Sequence, residues 1–113
     1  DGLPVWSGND DLTVPLLSLG AKGVISVLSN VRPKRTLQMV RACQAGDYAA
    51  AGRMQVALTP LIDALFSEIN PIPVKQALSL MGIPAGLPRL PLTPLSATHL
   101  PALEQALSAA PEP

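Results

Sequence analysis

The side chains of this 113-residue chain that could do chemistry are few, and their spacing removes most of the reactions they could support. His99 is the only histidine, with no cysteine or paired carboxylate near it in sequence. A metal site or a proton relay would lack its other members, so His99 reads as a side chain near the start of the last helix. Ser7 precedes Gly8, but the Gly-x-Ser-x-Gly frame of a nucleophile elbow is missing. Asp10 and Asp11 fit a helix N-terminus better than an acid–base pair. Cys43 is the single cysteine, which excludes an internal disulfide and a cysteine-cluster metal site. It lies among apolar positions and reads as a small core filler, and Met39, Met54 and Met81 read as packing. No metal and no cofactor is expected.

Lysine is the remaining nucleophile. It attacks a carbonyl only when its amine is partly neutral, which requires desolvation or a neighbouring cation. There are three: Lys22, Lys34 and Lys75. Lys34 has Arg32 and Arg35 beside it, but it follows Pro33 at an exposed helix start. The cluster Arg32, Lys34, Arg35 reads as a solvated helix start. Lys75 falls in the first turn of a helix and is expected to pair at the surface or pack.

An alternation of apolar runs and helices must position these residues. Leu3-Pro4-Val5-Trp6-Ser7 is closed by Gly8-Asn9, the pattern of a buried strand ending in a turn. Asp10 or Asp11 then caps a helix over Leu12 to Leu19, with Pro15 tolerated in its first turn and Gly20 as its stop. Val24-Ile25-Ser26-Val27-Leu28 is β-branched and almost wholly apolar, as a strand covered on both faces should be. Ser29-Asn30 ends it, and Pro33 opens a helix through about Ala45. Strand, helix, strand, helix predicts βα units and a parallel sheet.

Beyond Gly46-Asp47 the chain reads as helical. Met54, Leu58, Leu61, Ile62 and Leu65 share a face at helical spacing, and Pro60 should kink that helix rather than end it. Asn70-Pro71-Ile72-Pro73 is a break. A helix follows from Pro73 to about Met81, stopped by Gly82. Pro84, Pro88, Pro91 and Pro94 make 83–95 extended. A last helix runs from Thr98, its cap, to Ala109, and Pro111-Glu112-Pro113 should fray.

Charged residues are 14% of the chain, against roughly 25% in an average soluble domain. With 48% hydrophobic residues, the chain reads as a piece that rests against something else. Two parallel strands alone leave bare edges, so further strands are expected upstream of residue 1. Eight basic and eight acidic residues cancel, and one Trp, one Tyr and one Phe offer no stacking platform, so no nucleic-acid partner is expected. No apolar run reaches the roughly 18 residues of a membrane span.

Four segments together resemble the dihydrodipicolinate synthase family. They are Ser7-Gly8-Asn9-Asp10, Gly23-Val24-Ile25-Ser26-Val27, the run Phe66 to Lys75 containing Asn70-Pro71-Ile72-Pro73-Val74-Lys75, and Leu90-Pro91-Leu92-Thr93-Pro94-Leu95. The resemblance implies the C-terminal part of a (β/α)8 barrel. Residues 1–46 would be its last two βα units, with strands 7 and 8 at 4–7 and 23–28, and 47–113 a helical extension. It implies a lyase that condenses pyruvate, held as a Schiff base on a lysine of the sixth strand, with aspartate semialdehyde in lysine biosynthesis. That lysine has no counterpart here, since Lys22 would sit at the opposite end of the barrel, so this chain alone is expected to be inactive. Barrel sites lie at the C-terminal ends of the strands. By the resemblance, the Ile25 carbonyl contacts the Schiff-base lysine and Gly8 lines the second-substrate side. Asn9 stands where many relatives have an acid, and an amide carries no charge to offer there. A homotetramer built as a dimer of dimers and a cytoplasmic location are implied as well. Two other functions remain open: a related pyruvate aldolase with another acceptor, and a non-catalytic helical interaction module.

Overall fold

The computed structural model describes residues 2–113; Asp1, the first residue of the expected barrel portion, lies outside them. Among the described residues five α-helices carry the fold: α1 (Thr13–Ser18), α2 (Pro33–Gln44), α3 (Tyr48–Leu65), α4 (Ile72–Leu80) and α5 (Leu100–Ala109). Short 3-10 turns at Asp10–Leu12 and Leu28–Asn30 lead into α1 and α2.

Helix boundaries follow local chemistry. Pro33 occupies the first turn of α2, where no intrahelical N–H is needed. Gly46 then takes a φ of 82°, a left-handed conformation that glycine adopts without a Cβ clash. The next residue, Asp47, caps α3 by accepting from the Ala50 amide at 2.8 Å. α3 continues through Pro60; Pro60 and Val56, whose carbonyl loses its partner, both lie on the exposed face. α4 begins one residue before Pro73, and Gly82 turns the chain after it.

Leu58, Leu61, Ile62 and Leu65 of α3 bury the face predicted from their spacing, with Met54 partly buried beside them. They join Met39 of α2, Val74 and Ala77 of α4, Leu103 and Leu107 of α5, and Leu28 and Val31 of the turn before α2 in one core. Each fully buried leucine contributes about 1.5–3 kcal/mol. Leu17, Cys43 and Ala51 form a smaller cluster beside it, which makes Cys43 the filler expected. Burial pushes its thiol pKa up, away from reactivity.

Four expectations need correction. The runs 4–7 and 23–28 do not form strands; they meet in one isolated parallel bridge, Ser7 with Val24. The Ser7 amide donates to Gly23 O at 2.9 Å and the Ile25 amide to Ser7 O at 2.8 Å. A regular parallel step would then bring the Gly23 amide to Val5 O, but Lys22 donates there instead, at 2.8 Å. The reason is physical: no third strand pairs with either run among the described residues, and much of each run stays exposed. Ile25 is 75% exposed and Val5 55%. Parallel pairs persist where both faces are buried.

Second, Thr98 does not cap α5. His99 holds the cap position without a side-chain bond, because the Ser96 and His99 side chains are engaged by Glu68. Pro101 still falls in the first turn.

Third, Pro111-Glu112-Pro113 does not fray. Glu112 Oε1 accepts the Lys34 amide at 2.8 Å, so an acid sits at the α2 N-terminus, where the helix dipole favours it. Fourth, Arg32 of the basic cluster is not solvated. Its buried guanidinium donates to Leu107 O at 2.7 Å, Val31 O at 2.7 Å and Ala110 O, closing the C-terminal end of α5. Burial lowers the Arg32 pKa; the Glu112 charge opposes this and Arg35 adds to it.

Candidate functional site

Gly8, Asn9 and Ile25 reach one end of the fold because Ser7 and Val24 are bridged. Ser7 is fully buried, and its hydroxyl folds back on the chain. It donates to Asn9 O at 2.7 Å and receives the Asn9 amide at 3.2 Å. This local turn leaves Gly8 exposed on the rim, with nothing within 4 Å of where a Cβ would stand. Neither a positive φ nor packing within this chain explains the glycine, so its lack of a side chain leaves open space.

Across the bridge, the Ile25 amide is used by Ser7, while no donor reaches the Ile25 carbonyl among the described residues. A carbonyl left free is available as an acceptor for an amine. At Gly23, two residues earlier, a Cβ would stand 2.5 Å from Cζ3 of Trp6, so a side chain there would have to displace the indole.

Asn9 lines a groove of about 250 Å³ with Asp11, Ile62, Asp63 and Phe66. The groove runs between the turn after Gly8 and the end of α3, so the helical part reaches the same rim. Asp11 is exposed there, whereas Asp10 is 1% exposed. The pair therefore splits, one carboxylate at the surface and one inside. Asp10 accepts from the Ser26 hydroxyl and from the Val27 and Leu28 amides, each at 2.9 Å. Gln55 of α3 holds the same loop, donating to Asp10 O at 3.0 Å and accepting the Val14 amide at 3.2 Å.

Two of the three lysines are bonded to main-chain carbonyls, and the third stands before the bridge. Lys22 is exposed and precedes the bridge, whereas Ile25 follows it. Lys34 Nζ donates to Pro113 O at 3.1 Å, and Lys75 Nζ donates to Ala85 O. Among the described residues, no group of three or more His, Cys, Asp or Glu side chains could hold a metal.

His99 does have chemical partners, which sequence distance concealed. Glu68 Oε1 accepts from the Ser96 hydroxyl at 2.6 Å, the Ser96 amide at 3.0 Å and His99 Nδ1 at 2.7 Å. The Ser96 hydroxyl, then His99, then the Ser96 amide hold the Glu68 carboxyl at a pKa of about 2. Ser96 donates to the acid rather than to the imidazole, and one ring nitrogen faces both partners. The cluster therefore ties the loop after α3 to the start of α5; it does not assemble a nucleophile relay. Asp10, Gln55 and Glu68 were all missed as organising residues, and only Gln55 carried a sequence signal, as a polar position on the apolar face of α3.

In α/β proteins ligands bind beyond the carboxyl ends of parallel strands, and the Ser7–Val24 bridge puts Gly8 and Ile25 at such an end. Comparison with known proteins makes this specific. The dihydrodipicolinate synthetase family matches residues 1–110. The 4-hydroxy-tetrahydrodipicolinate synthase of Exiguobacterium sp. is 50% identical over 109 residues, covering 93% of this chain and 37% of that protein. The crystal structure of dihydrodipicolinate synthase from Thermotoga maritima superposes with a TM-score of 0.89 at 46% identity, over 93% of this chain and 36% of that one. The synthase from Acinetobacter baumannii, solved complexed with pyruvate, gives 0.89 at 41% identity, over 95% and 37%. The chain belongs to the dihydrodipicolinate synthetase family, and its fold is a part of the fold of those synthases. It spans about 37% of the length of the relatives it matches.

Proposed function

We propose that this chain forms the second-substrate and Schiff-base-facing side of a pyruvate-dependent aldolase, a lyase of the 4-hydroxy-tetrahydrodipicolinate synthase kind. Residues 1–46 supply the last two βα units of a (β/α)8 barrel, with 4–7 and 23–28 as strands 7 and 8 once neighbouring strands cover them. Residues 47–113 are the helical extension. The Ile25 carbonyl faces an amine, Gly8 lines the acceptor side, and Asn9 contacts the second substrate as a neutral amide. The reacting lysine comes from sequence other than these residues. It condenses with pyruvate to an imine, releasing water, and the bound pyruvate then attacks aspartate semialdehyde on the route to lysine.

The parallel bridge between Ser7 and Val24 carries this reading, because it sets Gly8 and the unspent Ile25 carbonyl at one end. Surface area supports it too. The chain exposes 6767 Å², against about 5,900 Å² for a compact monomer of this length. Exposed Leu3, Val5, Trp6 and Ile25 lie on or beside the bridged pair, where further strands would pack. A cytoplasmic homotetramer built as a dimer of dimers belongs to the same reading.

The test is a fusion in which this chain replaces the matched segment of the Exiguobacterium sp. synthase. Aspartate semialdehyde consumption dependent on pyruvate is expected. A folded fusion that consumes none, while the parent synthase does, contradicts the proposal. One observation favours a non-catalytic helical module instead: α2 to α5 close a core of their own. Ultracentrifugation of the 113-residue chain separates the two, since a well-behaved monomer supports the module and self-association supports the uncovered barrel edge.

A further inference from the structure

We propose that Asp10 is a positioning residue for this site, its buried carboxylate fixing the Ile25 carbonyl relative to Gly8. The inference rests on the aldolase reading above. Asp10 follows Gly8 by two residues, and Ser26 adjoins Ile25. The carboxylate gathers three donors from the far turn: the Ser26 hydroxyl and the amides of Val27 and Leu28 at 2.9 Å. Ser26 Oγ in turn receives the Ser29 amide at 2.8 Å, so the turn closes around the acid. On the other side, Ile25 is held by its own amide on Ser7 O at 2.8 Å.

The peptide plane carrying the Ile25 carbonyl is thus anchored before and after, while the carbonyl itself remains free. A bidentate ionised acceptor suits this task. It satisfies several donors at once, with shorter and stiffer bonds than a neutral group makes. Asp10 is anchored from behind as well. Its main-chain carbonyl receives the Thr13 hydroxyl at 2.9 Å and Gln55 Nε2 at 3.0 Å. The helical extension therefore reaches the site through Gln55. A buried carboxylate adds little stability that packed apolar groups could not match, whereas its directed bonds fix one geometry. Displacements of about 1 Å at such a position cost on the order of 100-fold in rate.

The test uses the fusion described above, with Asp10→Asn. The amide keeps the shape of the acid but sets its NH2 against three donors, so at least one bond is lost. Formation of the borohydride-trapped adduct at saturating pyruvate should slow by about 10- to 100-fold. The KM for pyruvate should stay within about twofold and the amides of Val27 and Leu28 should exchange faster. Ser26→Ala should slow trapping by at least about threefold, and the double variant should lose little more than Asp10→Asn, because the two act through one contact. Trapping by Asp10→Asn within about twofold of the parent fusion, or losses that multiply in the double variant, would overturn the proposal. If Asp10→Asn does not fold, Ser26→Ala alone decides: slowed trapping upholds the role and unchanged trapping refutes it. An unsubstituted fusion that traps no pyruvate fails the aldolase reading, which is a separate result.

Discussion

The bridged N-terminal segment and the helical extension solve the folding problem differently. The extension closes on itself: Leu58, Leu61, Leu65 and Leu103 are each at most 1% exposed, and Arg32 and Glu112 join its far end to α2. The N-terminal segment is held by polar contacts, through Asp10, Gln55 and the Tyr48 hydroxyl on Leu17 O at 3.2 Å. Its Leu3, Val5, Trp6 and Ile25 side chains stay outward, while Leu17 and Leu28 are buried. A region whose apolar groups meet each other is a core, and one whose polar groups are satisfied while its apolar groups are exposed is an interface. The two therefore answer differently to substitution.

Leu103→Ala should cost about 2–5 kcal/mol, because a fully buried leucine leaves a cavity among α3, α4 and α5. Urea denaturation of the chain measures it. A cost under about 1 kcal/mol would mean the extension is loosely packed. Arg32→Ala should cost about 1–3 kcal/mol, since the Leu107 and Ala110 carbonyls lose their donor. Faster proteolysis near the C-terminus should accompany it. Smaller and more local is the effect of acid. The Glu68 carboxyl titrates in the fold near 2 rather than at its ordinary 4.5. Its charged form is the stabilised one, so the contribution is complete above about 4.5 and fades as the pH falls toward 2. The Ser96 amide resonance should report loosening of the start of α5 in that window. Smallest of all, Ile25→Ala in the isolated chain should change stability by less than about 0.5 kcal/mol, because that side chain is exposed. A larger cost would erase the distinction between core and interface.

What the sequence disclosed follows the range of each interaction. Pro33, Asp47, Gly46 and Gly82 mark helix ends by local conformational preference, and those ends fall where predicted. The buried face of α3 was readable from spacing alone. The two apolar runs kept their parallel direction and their shared end, but strand length depends on neighbours that pair and cover them. Arg32 reaches Leu107 and Ala110 across 75 and 78 residues, and Gln55 reaches Asp10 across 45. No periodicity announces such contacts. The basic cluster and the last three residues looked solvated separately because each is the other's partner. Gly8, Asn9 and Ile25 of the proposed site came from resemblance alone, and the bridge brings them to one end, whereas the bonds of the Asp10 carboxylate were hidden by its place in an ordinary helix-start pattern.

Under the proposed aldolase function, these residues face a reacting amine that they do not themselves supply. Peptide mass mapping of the fusion after pyruvate and borohydride tests it directly. A reduced pyruvyl adduct is expected on a lysine outside these 113 residues, with Lys22, Lys34 and Lys75 unmodified. An adduct on any of those three would contradict it.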